Sequence, residues 1–385
     1  MSTPLFETEA PCVLVTGGGT GGHIIPALAL CEEIRRRNAR APVCIVGRAG
    51  AMEERLAAES GVAFVSLASA PLRRSIFHKL VTAATMSLGL VQGWRLITKT
   101  RPAAIAGFGG YASFPLLAAG LLRGVPVVAH EANALPGRAV RLLVRLGAHL
   151  AYGIDTGHPR LVALRARRTR LPRARNTGNP VRHAFVSATA ADGARVTGLA
   201  PGAPTVMVVG GSQGSRRINS FVLDAVPAVK AAIQGVQFIH LTGAADRERA
   251  AAAYARLGVP AHVSAFSSEM GALYRLASVV VARAGALSIA EICAAGVAAI
   301  LIPYPHATER HQDENARFLG DAGGAVVLDE GMLDAETFTR QLIAVLRDDS
   351  RRARMAEVNR GLARADAAAA LCDFLDECFQ HAHEH

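Results

Sequence analysis

Aromatic side chains are scarce, 5% of the 385 residues, with a single tryptophan, Trp94. Single-stranded nucleic acid is gripped largely by stacking on aromatic rings. The formal charge of +11 therefore finds no matching platform, and no recognition motif of that class is present. Nucleic acid is not expected as a partner. Cysteine is sparse too, and the six that occur (Cys12, Cys31, Cys44, Cys293, Cys372 and Cys378) include no CxxC pair. They read as small buried hydrophobes in a reducing compartment. No Lys or Arg precedes the apolar run that starts at Cys12, and Glu7 and Glu9 do, so no secretory signal is expected. The stretch 102–122 lacks formal charge but is broken by Gly107, Gly109, Gly110 and Pro115. It reads as a strand, a glycine turn and a helix rather than a membrane span, and no transmembrane helix is expected. The closing HAHEH reads as solvated C-terminal residues, so no metal is expected there.

Acidic residues are lacking in one half only. Residues 1–180 hold 23 basic and 9 acidic side chains, +14, whereas 181–385 hold 19 and 22, −3. The two halves are built to face different partners. Both alternate short Val/Ile-rich runs with segments of helical period, the pattern of βαβ units around a parallel sheet, so the fold class is α/β. Six strands are expected in the first half, near 12–16, 43–47, 63–67, 103–106, 125–129 and 149–152. Six more are expected near 205–209, 237–241, 261–265, 279–282, 298–302 and 325–328. Between the halves, 160–180 carries seven arginines and then Asn-Thr-Gly-Asn-Pro. The expected division is 1–178 and 179–365, with a C-terminal helix near 366–380 packing back on the first. Two doubly wound domains facing across a cleft would gather their ligand-binding strand ends there.

The first strand runs into Gly17-Gly18-Gly19-Thr20-Gly21-Gly22 and then a helix. Open backbone N–H groups at a helix N-terminus suit phosphate or diphosphate. Gly17, Gly19 and Gly22 also fit the dinucleotide fingerprint GxGxxG. NAD, however, calls for an acid about 20 residues on, where Gly47-Arg48 stand, which weakens NAD and leaves NADP open. His23 and Ile24 replace the Lys and Ser/Thr of a P-loop, which is excluded. His23, with Pro26 in the same first turn, sits where the helix dipole disfavours imidazolium, so a neutral ring able to accept a proton is expected. Gly107 to Tyr111 and His130-Glu131-Ala132-Asn133 follow strand ends. Glu131 could share or orient a proton, and Asn133 could read sugar hydroxyls. In the second half, Gly210 to Ser215 offers a second anion cradle, and Glu291 is a candidate for a ribose diol.

GGTGGHIIPALAL (18–30), GFGGYASFP (107–115), HEANALPGR (130–138), GNPVR (178–182), GGSQGS (210–215), RAGALSIAEI (283–292) and PYPHATERHQDENA (303–316) occur in an order that resembles the MurG family. These bacterial transferases add N-acetylglucosamine to the lipid-linked muramyl-pentapeptide precursor of peptidoglycan. The resemblance covers nearly the whole chain. It implies two Rossmann-like domains in the GT-B arrangement, an inverting reaction without metal or other cofactor, and a peripheral place on the cytoplasmic face of the inner membrane. It puts the acceptor diphosphate at Gly17, Gly18 and Gly19 with Gly109 and Gly110, the rest of that loop (Thr20, Gly21, Gly22) also meeting UDP-GlcNAc. His23 becomes the base, helped by Glu131. For UDP-GlcNAc it implies Ser212 at the diphosphate, Phe266 and Ser267 at the uracil and Glu291 at the ribose. Asn133, Ala286, Leu287 and Gln312 would line the sugar and its phosphate, with Arg182 reaching the nucleotide from the hinge side. Ala132 stands where the family usually has Gln.

The implied partners are UDP-GlcNAc, undecaprenyl-diphosphate-linked MurNAc-pentapeptide and an anionic membrane surface. For the membrane, the cations of 72–80 beside apolar groups, with Trp94-Arg95, are the features read from the residues. The competing readings are another lipid-acceptor glycosyltransferase or a UDP-sugar epimerase of the same fold, and an NADP-dependent reductase.

Overall fold

In the computed structural model, which describes residues 12–71, 76–166, 173–211 and 213–383, short and mostly apolar runs become parallel strands, joined in the first half by one polar edge strand. In the first half these are β1 (Val13–Thr16), β2 (Val43–Gly47), β3 (Ala63–Ser66), β4 (Ala104–Gly107), β5 (Val127–Glu131), β6 (His149–Tyr152) and β7 (Ala174–Asn176). In the second they are β8 (Thr205–Val209), β9 (Gln237–Leu241), β10 (Ala261–Ser264), β11 (Val279–Ala282), β12 (Ala298–Leu301) and β13 (Ala325–Val327). The sheets run β3-β2-β1-β4-β5-β6-β7 and β10-β9-β8-β11-β12-β13. Every pairing is parallel. Each order reverses next to its own first strand, β1/β4 and β8/β11, and at such a switch point the loops leaving the strand carboxyl ends diverge and open a crevice.

The described residues up to Arg182, with those from Asp366 onward, form one unit, and His183–Ala365 forms the other. The helix Ala367–His383 belongs to the first because its apolar face is buried in that unit's core. Leu371, Cys372, Phe374, Leu375 and Cys378 join the core formed by β1, β2, β4 and the helix Gly21–Arg37. Arg37 adds an ion pair to Asp373, and Arg175 one to Glu377. All six cysteines are unpaired thiols.

Three details depart from the sequence reading. β7 was not foreseen, because Ala174-Arg175-Asn176 is a short polar edge strand with no apolar signature. Pro26 lies inside the helix Gly21–Arg37 rather than in its first turn. The third concerns membranes. Residues 102–122 divide into β4, a turn and the helix Phe114–Leu122, but the helix Ile76–Thr100 contains a segment, Lys79–Thr100, long and apolar enough to cross a membrane by length and composition. Within the unit it lies on the helix Phe114–Leu122, where Gly89 and Gly93 let the two backbones approach around Pro115 and Ala119.

Candidate functional site

In the first unit the chemistry collects where β1, β4 and β5 end. The backbone after β1 turns through Gly17 to Thr20 and becomes helical at Gly21. His23 Nδ1 lies 3.1 Å from the Gly18 carbonyl and 3.2 Å from Thr20 Oγ1. A carbonyl only accepts, so Nδ1 carries the hydrogen and Nε2 the lone pair in the neutral ring. The turn after β4 closes over this ring. Gly110 has φ of +78°, and a Cβ there would sit 2.3 Å from the Gly18 carbonyl oxygen and 3.3 Å from His23 Nδ1. Only glycine lets the β1 and β4 loops meet around the imidazole. Gly17, Gly18, Gly19, Thr20, Gly21, Gly22, His23, Gly109 and Gly110 are thus one constellation.

β5 supplies the next wall. Glu131 is buried. One carboxylate oxygen accepts from the Asn133 backbone and side-chain N–H groups at 2.9 and 3.1 Å, the other from Gly137 N–H at 2.8 Å. The expected proton-sharing group is therefore a carboxylate that folds its own loop and positions Asn133. His130 donates from Nε2 to the Gly178 carbonyl at 2.9 Å, and burial lowers its pKa to about 4. Asn179 Nδ2 donates to the Ala132 carbonyl at 2.9 Å, so the loop is held from behind through the backbone of residue 132. Arg182 departs from its expected direction. Its guanidinium is paired with Glu32 at 2.6 Å and reaches Ser60 Oγ, because a nearby carboxylate is the strongest partner available to it.

In the second unit the expected donor residues lie on the loops that leave β8, β10, β11 and β12 and on the helices that follow them. Gly210 to Ser215 links β8 to the helix Arg216–Ala232; Ser212 lies outside the described residues. Gly214 has φ of +75°, and a Cβ there would meet the Thr242 carbonyl at 2.0 Å. Phe266 and Ser267 follow β10. The Phe266 side chain is 51% exposed, and Ser267 Oγ accepts from Glu269 N–H. Ala286 and Leu287 open the helix Ala286–Ala295 after β11. Glu291, one turn further, is buried rather than on the surface. Its partner is the Tyr274 hydroxyl at 3.2 Å, and burial raises its pKa to about 8, the tyrosine opposing in part. Gln312 Oε1 accepts from Tyr304 N–H at 3.0 Å. Among the described residues, no three His, Cys, Asp or Glu side chains gather to hold a metal ion.

Residues 13–151 match the glycosyltransferase family 28 N-terminal domain and 205–371 the C-terminal domain of the same family. Curated relatives named UDP-N-acetylglucosamine–N-acetylmuramyl-(pentapeptide) pyrophosphoryl-undecaprenol N-acetylglucosamine transferase include one from Nitratidesulfovibrio vulgaris, 38% identical over 94% of this chain and 96% of its own. One from Dechloromonas aromatica is 38% identical over 95% and 98%. The crystal structure of Acinetobacter baumannii MurG superposes with a TM-score of 0.73 at 25% identity, covering 95% of this chain and 99% of that one. The chain belongs to the MurG family of glycosyltransferases. The reductase reading loses its support, since a MurG-family second unit accounts for the second glycine loop that a reductase leaves idle.

Two residues around the MurG-family loops escaped the sequence reading. Glu53, in the first turn of the helix Met52–Glu59, is buried against Gly18 and accepts from Arg48 N–H at 3.2 Å. The acid that seemed missing after β2 is therefore present a few residues later, carried back by the helix. Arg283, in the RAGA motif after β11, is a buried arginine; a cation directly after a fully apolar strand was the available signal.

Proposed function

We propose that the chain transfers N-acetylglucosamine from UDP-GlcNAc to the 4-hydroxyl of MurNAc-pentapeptide carried on undecaprenyl diphosphate, with inversion at the anomeric carbon. The observation that carries this reading is His23, fixed through Nδ1 with Nε2 as the basic nitrogen, inside a glycine constellation suited to a diphosphate. The acceptor hydroxyl gives its proton to Nε2 while its oxygen bonds to the anomeric carbon. The bond to UDP breaks, and UDP leaves with the electron pair. The charge it gains calls for the N–H groups of the Gly210 to Ser215 cradle and the following helix N-terminus. One such donor is worth ~3 kcal/mol in the transition state.

Incubation with UDP-GlcNAc and a lipid-linked muramyl-pentapeptide analogue should release UDP; no release by the wild-type chain would sink the reading, and turnover on a diacylglycerol acceptor instead would favour a different lipid-acceptor transferase. His23→Ala should keep UDP-GlcNAc affinity while losing on the order of 10²–10⁴ in turnover.

The same reading places the first unit on the cytoplasmic face of the inner membrane. Leu80, Val81, Leu88, Val91 and Trp94 are exposed on the helix Ile76–Thr100, joined by Leu122. Lys79 and Arg95 flank them, and the Arg123 guanidinium lies 4.7 Å from the Trp94 ring centre. Apolar side chains edged by cations suit an anionic lipid surface.

A further inference from the structure

Arg283 extends straight from the end of β11, its backbone N–H still bonded to the Val209 carbonyl at the end of β8. Its guanidinium then joins the loops around it. Nη1 donates to the Ile302 and Pro303 carbonyls at 3.1 and 3.2 Å. Glu330 provides the opposite charge, and the Tyr304 ring lies 5.2 Å from the guanidinium carbon. Nη2 donates to Ser215 Oγ at 2.8 Å. One buried cation thus ties the glycine cradle after β8 to the segment after β12 that leads to Gln312.

The consequence falls on Ser215. As N-cap of the helix Arg216–Ala232, its Oγ also accepts from Ile218 N–H at 3.4 Å. A hydroxyl oxygen has two acceptor positions and one hydrogen to give. Arg283 and Ile218 fill both acceptor positions, so the hydrogen is all Ser215 has left to offer, and among the described residues nothing accepts it. The residue is about nine-tenths buried, where an unused donor is costly. It sits at the last position of an anion cradle, so the acceptor that fits is an anionic oxygen.

We propose that Ser215 is a further binding residue for the donor, giving its hydroxyl hydrogen to a diphosphate oxygen of the nucleotide sugar. Arg283 is the positioning residue that, by donating to Oγ, prevents this hydroxyl from turning into an acceptor facing the phosphate. The proposal rests on the donor reading above.

The experiment compares the affinities of UDP and uridine for the full chain by calorimetry. If the wild type binds neither, the donor reading itself fails. If it binds UDP, Ser215→Ala should weaken UDP about tenfold or more, a charged hydrogen bond's worth, with uridine unchanged. Ser215→Thr should restore UDP. Arg283→Met should weaken UDP in the same direction, and the double variant should lose no more than the worse single one, since the two act through one hydrogen. Ser215→Gly, which retains most capping ability, serves where the alanine variant folds poorly and should show the same UDP-specific loss. Unchanged UDP affinity in the Ser215 variants, or an equal loss for uridine, would overturn the proposal.

Discussion

A carboxyl group enclosed without a cation resists ionisation, and Glu291 is in that position: burial raises its pKa to about 8 against an ordinary 4.5. The folded chain then holds a proton that the unfolded chain has released, so stability falls as pH rises between about 4.5 and 8 and levels off above. Buried His130, His149 and His240, lowered by burial to about 4, 4 and 3, act oppositely. Their contribution is lost as pH falls below about 6.5, the unfolded value. From pH 7 to 8.5 the histidines no longer contribute, and the glutamate acts with a remainder from Asp376, raised by burial to about 7, and, toward pH 8.5, from buried thiols that burial keeps protonated. Urea midpoints of the wild type should drop across that window, and those of Glu291→Gln, which can still accept from Tyr274, should drop clearly less. If Glu291 meets the ribose diol, hydroxyl donors will favour its ionised form. UDP-GlcNAc binding at pH 7 should then release a proton, seen as a binding enthalpy that depends on the buffer's ionisation heat. At this scale the sequence showed which residue types stand after each strand, but not their duties. Glu131 and Arg182 were legible as charges near the site. Their partners, loop N–H groups in one case and Glu32 in the other, come from segments whose approach no local pattern encodes.

Elements were far more legible, because strands of a parallel sheet are built largely from short apolar runs, and twelve of the thirteen strands among the described residues were expected from such runs. β7 escaped since an edge strand can be polar on both faces. The helix Ile76–Thr100 shows what composition alone leaves open. Its length and apolarity would suit a span, yet Gly89 and Gly93 dock it on its neighbour while Leu88, Val91 and Trp94 remain exposed. On the proposed reading the helix would bind a membrane interface through apolar area plus attraction to anionic headgroups. Leu88→Glu with Val91→Glu, both at exposed positions, should leave the melting temperature nearly unchanged but sharply reduce co-sedimentation with anionic vesicles. Retention equal to the wild type would mean that this face meets no lipid. The glycine turns make the opposite kind of prediction. Gly110→Ala should destabilise and inactivate together, because the added methyl at φ of +78° drives into the Gly18 carbonyl beside His23.

For the whole molecule, the chain order conceals how the units are built, since the first unit is completed by the last helix. The charge difference between halves, +14 against −3, signalled two partners, and a helix was expected near 366–380. That it packs back on the first unit was expected; which side chains close the core is shown by the contacts of Phe374 and its neighbours. Phe374 is 1% exposed, edge-on to His149 and under Arg175. Phe338 holds the equivalent place in the second unit, stacked on Phe221. Truncating either to alanine should cost about 3–5 kcal/mol, but of different cores. Calorimetric scans of the full chain should show Phe374→Ala lowering the transition of the first unit and Phe338→Ala that of the second. UDP should raise only the second, since a ligand stabilises the unit that binds it. If both substitutions lowered one shared transition equally, and UDP raised that same transition, the two cores would be unfolding as a single cooperative block.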